Sequence, residues 1–139
     1  MGEIIVKIEL ENYLDKVLSE DKKIKKSEVR KFNMNALVDT GALMLMLPQD
    51  VVEKLGLRTI RTAVVTYADE RKEERQVAGG LFIKIGDRAT TSTCIIGPPN
   101  SEALIGQIIM EELDLIPDPL NRTLAPRPES PIYPSLKMK

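Results

Sequence analysis

ALVDTGALMLMLP, residues Ala36 to Pro48, is an apolar run interrupted by one carboxylate, one hydroxyl and one glycine. An ionised aspartate in apolar surroundings is so unfavourable that it takes up donors, takes on a proton or sits at a reactive centre. Asp39 is therefore expected to be buried and functional. Upstream, Phe32, Met34, Ala36 and Val38 alternate with Lys31, Asn33, Asn35 and Leu37, which predicts a strand that delivers Asp39 at its end. Downstream, Pro48-Gln49-Asp50 suits the first turn of a short helix. Val51, Val52 and Leu55 form its core face and Gly56 stops it.

Further out, IIVKIEL near the N-terminus reads as a strand, and SEDKKIKKSE (Ser19 to Glu28) as a solvated loop rather than a basic binding patch. TAVVTY, LFIKIG and TTSTCII read as hairpin strands, with a charged stretch from Ala68 to Arg75 and a turn at Gly86-Asp87-Arg88. A second short helix is expected after Leu104-Ile105-Gly106, on the spacing of Ile105, Ile108, Ile109 and Leu113. Four prolines, Pro126, Pro128, Pro131 and Pro134, keep the tail irregular. This divides the chain into one domain over 1–126 and a proline-rich tail over 127–139, lying on the surface or against a partner.

Composition removes many function classes. The 139 residues contain 42% hydrophobic and 29% charged side chains and a net charge of -1, so no electrostatic attraction to nucleic acid or an anionic membrane is expected. No apolar stretch approaches the length of a membrane span, and no cleavable signal pattern opens the chain. With a single cysteine, Cys94, read as a small buried residue, the expected location is cytoplasmic. Histidine is absent, which removes the usual base of serine and cysteine hydrolases and the commonest zinc ligand. No phosphate-binding glycine loop is present. No metal or cofactor is expected. A serine–lysine or a carboxylate mechanism survives, nothing singles out a serine, and the carboxylates carry what chemistry there is. Asp50, Asp69, Asp87, Asp114 and Asp118 all read as helix-start, turn or helix-end residues.

ALVDTGALMLMLPQDVVEKLGL (Ala36 to Leu57) resembles the active-site segment of retropepsin-like aspartic proteases. EALIGQIIMEELDLIPDPLNRTLAP (Glu102 to Pro126) resembles the family's later element. The resemblance implies a mainly β acid-protease fold, a small closed barrel-like domain with two short helices. It also implies a homodimeric aspartic endopeptidase acting on peptide or protein substrates. In such an enzyme a water is held between two carboxylates sharing a proton. One Asp-Thr-Gly per chain means that Asp39 is the catalytic residue and that a second copy supplies its partner on a two-fold axis.

By the same resemblance Thr40 bonds across the axis, and Gly41 admits close approach and donates its amide to the carboxylate. Ala42 completes the loop, and Gly106 lets the chain pack tightly beneath it. Gly41 and Gly106 also read as simple turn glycines. Tyr67, Ala68, Asp69 and Glu70 are the candidate flap tip, with Tyr67 either touching substrate or serving as a strand aromatic. Glu70 stands where the family often has glycine. It motivates a second reading, a dimer that keeps the fold and binds an extended peptide or partner protein without cutting it. In a third, Asp39 merely braces a turn.

Overall fold

Ile5–Asn12 (β1) turns Ile5 and Lys7 outward and Val6, Ile8, Leu10 and Asn12 inward, the period of two of a strand with one buried face. In the computed structural model, which describes residues 3–138, this strand closes a barrel. β1 pairs antiparallel with Lys31–Val38 (β2) on one side and with Lys72–Ile85 (β5) on the other. From β2 the ring continues through Ala103–Ile105 (β7), Met46–Pro48 (β3) and Arg88–Gly97 (β6) back to β5. Among the described residues six strands thus form a closed barrel, the mainly β acid-protease-like architecture that the sequence implies. Arg58–Thr66 (β4) pairs with β5 alone and stands as the outer arm of a long hairpin.

Two placements matter for the site. β7 runs parallel to β2 and antiparallel to β3, so it lies between them. The chain joining β2 to β3 must therefore cross the C-terminal end of β7. The barrel interior is filled by Ile8, Leu10, Leu47, Leu81, Ile83, Cys94 and Ile105, all 0% exposed. Each large aliphatic side chain there contributes about 1.5–3 kcal/mol of burial.

Three helices are found among the described residues, Tyr13–Glu20 (α1), Gln49–Leu55 (α2) and Gln107–Leu113 (α3), where two were expected. α2 and α3 lie where the periodicity puts them, and Val51, Val52 and Leu55 are buried. Gly56 ends α2 at φ 63°, a left-handed conformation that glycine takes without strain. α1 is the addition. Its Tyr13 and Leu14 stay exposed, so its apolar stripe is thin and its cap is the stronger signal. Asn12 accepts from the Asp15 amide at 2.9 Å and donates to the Leu55 carbonyl at 2.9 Å. Arg30 in turn grips Asp15 through Nε at 2.8 Å and holds its carboxyl below the usual carboxylate range. The charged stretch divides, with Lys72 to Arg75 opening β5.

After α3 the chain makes a hairpin of Leu115–Asp118 (β8) and Thr123–Pro126 (β9), and the tail follows without regular structure. It is tied down by buried polar groups. Asp114, in the left-handed conformation just past α3, accepts from Arg127 Nε and Ser130 Oγ, both at 2.5 Å, and from the Ser135 amide at 2.9 Å. These donors, Arg127 first, hold its carboxyl far below the usual range. Arg88, 6% exposed, donates to the Leu113 and Asp114 carbonyls at 2.9 Å each and to the Ser130 carbonyl. Residues 127–135 are therefore clamped to the C-terminal end of α3.

Candidate active site

Asp39 is the first residue beyond β2, at the point where the chain begins to cross β7. Its amide donates to the Ile105 carbonyl at the end of β7 (2.9 Å), and its carbonyl accepts from the Ala42 amide (3.1 Å). The crossing therefore starts as a tight turn fixed from below. Within that turn the Gly41 amide donates to Asp39 Oδ1 at 2.9 Å, a bond strengthened when the carboxyl is ionised. A side chain at residue 41 would crowd this contact, since its Cβ would lie 3.3 Å from Oδ1.

In the single chain Asp39 is only half-buried, while Thr40, Gly41 and Leu43 are exposed, Leu43 by 65%. The buried carboxylate expected from the apolar run is thus corrected. The run divides, because Leu45 and Leu47 enter the core while Leu43 faces outward from the crossing loop. No hydrogen bond from the Thr40 hydroxyl is found among the described residues.

The loop rests on the start of α3. The Gln107 amide donates to the Ala42 carbonyl at 2.8 Å and the Ile108 amide to the Leu43 carbonyl at 2.9 Å. The Gln107 side chain adds a bond from Nε2 to the Thr40 carbonyl at 2.8 Å. Gly106 lies directly beneath. A Cβ there would come 2.7 Å from the Ala42 oxygen and 2.7 Å from the Leu43 carbonyl carbon, distances that no real side chain adopts. The backbone at Gly106 is extended, so space rather than conformation requires glycine.

Tyr67, Ala68, Asp69 and Glu70 lie apart from this cluster, at the tip of the β4–β5 hairpin. The Glu70 amide donates to the Tyr67 carbonyl and the Tyr67 amide to the Arg71 carbonyl, both at 2.9 Å. Glu70 itself takes φ 67°. This is a three-residue loop whose last position is left-handed, the place where glycine is cheapest. Glu70 therefore changes the cost of the turn and not its shape. The tip is cross-braced as well. The Arg71 guanidinium lies 4.4 Å from the Tyr67 ring centroid, and Glu73 accepts from Arg71 at 2.5 Å and from Arg75 at 2.8 Å. Replacing Glu70 by glycine removes the left-handed penalty and adds back some chain entropy. Glu70→Gly is expected to stabilise the protein by about 0.5–1 kcal/mol, read as a rise of about 3 °C in a thermal melt. A fall would mean that the glutamate makes a stabilising contact of its own.

Most of the other candidate aspartates accept backbone amides. Asp50 accepts from the Asn100 amide (2.8 Å), Asp69 from the Arg71 amide (3.1 Å), and Asp118 from Leu120 and Asn121 across the β8–β9 turn. Asp87 is exposed in the turn between β5 and β6. Cys94 is buried, which pushes its thiol up to about 12 and leaves it inert. Among the described residues no group of three or more acidic, cysteine or histidine side chains is arranged to hold a metal ion. No helix among them is long and apolar enough to cross a membrane. Gln107 carries no role in the sequence reading, and Arg88, read there as part of a turn, is instead the buried first residue of β6. Nothing local marks them, because their partners are 67 positions away for Gln107 and 25, 26 and 42 away for Arg88.

A family model described as aspartyl protease matches residues 26–109. The match takes in the crossing loop, the hairpin arm and the first turn of α3. No curated protein matches the chain.

Proposed function

Since this chain belongs to an aspartyl protease family of the retropepsin-like clan, we propose that it is an aspartic endopeptidase built from two copies, each supplying Asp39. The observation that carries this reading is the Asp39 carboxylate itself. It sits on a loop fixed from below by Ile105, Gln107 and Ile108 and open on its outer side at Thr40, Gly41 and Leu43. One copy of the motif gives one carboxylate, and amide hydrolysis by this chemistry needs two. The outer side is where the second copy approaches, with the free Thr40 hydroxyl as its hydrogen-bonding partner and Leu43 as apolar surface to cover.

Two carboxyls brought that close cannot both ionise, so the pair holds one proton. The ionised carboxylate takes a proton from the trapped water as its oxygen attacks the peptide carbonyl carbon. The protonated carboxyl gives its proton to the carbonyl oxygen. The diol collapses as the newly protonated carboxyl gives its proton to the amide nitrogen and the other carboxylate takes one from a diol hydroxyl. The C–N bond breaks to leave a carboxylic acid and an amine, and the pair again holds one proton. The reaction calls for neither a metal nor an organic cofactor. The β4–β5 hairpin serves as the flap, its main chain adding to an extended peptide as a further strand.

Sharing the site between copies has a kinetic signature. Below the dimer dissociation constant the active species scales with the square of chain concentration. Halving the protein in that range should lower the rate of cleavage of a mixed peptide library about fourfold. A rate strictly proportional to protein at every concentration, with a monomer in sedimentation, would refute the shared site.

A further inference from the structure

The peptide unit between Thr40 and Gly41 is held at both ends. Its carbonyl oxygen, on Thr40, accepts from Gln107 Nε2 at 2.8 Å. Its N–H, on Gly41, donates to Asp39 Oδ1 at 2.9 Å. A trans peptide is planar, with C=O and N–H pointing in opposite directions. Whatever fixes the carbonyl therefore aims the amide, and here the amide is aimed at the catalytic carboxylate.

We propose that Gln107 is a positioning residue for Asp39, setting the orientation of the Thr40–Gly41 peptide plane and through it the Gly41 donor. The proposal rests on the reading of Asp39 as the catalytic carboxylate. The main-chain contacts of α3 cannot do this work alone. They reach the Ala42 and Leu43 carbonyls, on the far side of Gly41, and the Ala42–Asp39 bond that closes the turn is compatible with either orientation of its central peptide. Glycine at 41 lowers the resistance to a change from one to the other, since it lacks a Cβ. A side-chain amide suits the task. It projects a donor from the first position of a helix whose own N–H is already spent on Ala42, and it adds no charge beside a carboxylate whose protonation matters.

The test compares Gln107→Met, of similar length without a donor, with Gln107→Glu, nearly isosteric and a donor only when protonated. Gln107→Met should lower kcat about tenfold, the worth of one such hydrogen bond, with KM within about twofold. For Gln107→Glu the activity ratio to wild type should recover towards one as the pH falls, whereas the Gln107→Met ratio stays flat. Unchanged kcat in both variants overturns the proposal, as does a parallel loss in both at every pH. Gly41 amide exchange, followed by NMR, supplies a reading independent of turnover. It should quicken about tenfold in Gln107→Met, with the Ile108 amide unaffected. Should the wild-type protein cut no peptide, the endopeptidase reading fails on that result alone. Gly41 exchange then still decides whether Gln107 holds the plane.

Discussion

Asp39→Asn should abolish peptide hydrolysis, lowering the rate by about four orders of magnitude, while the protein stays folded and paired. The asparagine keeps an oxygen for the Gly41 amide, and the Asp39 main-chain bonds to Ile105 and Ala42 do not involve the side chain. The loop therefore loses little. What disappears is the group that, in the proposed mechanism, takes the proton from water. Mixing sharpens the result by testing whether the site is shared. When mutant and wild-type chains exchange partners at equal amounts, about half of the wild-type activity should vanish, since half of the active chains acquire an inert partner. Full activity in the mixture would show that each chain works alone, and equal cleavage by mutant and wild type would remove Asp39 from the mechanism.

Gly106→Ala should be the most damaging change that leaves every titratable group in place. The added methyl group would lie 2.7 Å from the Ala42 oxygen and the Leu43 carbonyl carbon. Both are backbone atoms, pinned by the Gln107 and Ile108 amides at 2.8 and 2.9 Å. No side chain can swing aside to relieve the clash, so the loop must rise and stretch those bonds. Overpacking of this kind costs about 3 kcal/mol. A carboxylate displaced by a sizeable fraction of an ångström loses about a hundredfold in rate. Denaturant unfolding and peptide cleavage measure the two effects. Gly80→Ala is the control, since nothing lies within 4 Å of its Cβ and its φ of 78° alone carries the strain. It should cost about 1 kcal/mol and leave cleavage unaffected. Equal behaviour of the two variants would mean that the space beneath the loop is not what Gly106 protects.

Much of this is legible in the sequence alone. The alternation into Asp39, the helix from Gln49 stopped by Gly56, and the Leu104-Ile105-Gly106 element are local patterns, and they appear where periodicity and turn chemistry put them. Two things resisted. Exposure of the loop was misjudged, because an apolar run does not say which of its members a crossing turns outward, and Leu43 goes one way while Leu45 goes the other. α1 was passed over because its mark is a single cap, Asn12, whose second bond reaches the Leu55 carbonyl 43 positions away. Gln107 and Arg88 belong to the same class. Their importance comes from what the barrel brings to them and not from their neighbours in the chain.

The clamp on the tail sets an order of assembly. Asp114 and Arg88 lie within the domain, yet Arg127, Ser130 and Ser135 supply their partners, and these emerge from the ribosome after every strand of the barrel. A nascent chain that has just completed β9 thus carries a carboxylate and a guanidinium with part of their bonding missing at the end of α3. At roughly 5–20 residues per second the missing partners follow within about a second or two. The far end of α3, whose first turn supports the Asp39 loop, is therefore braced only once residues 127–135 have been made.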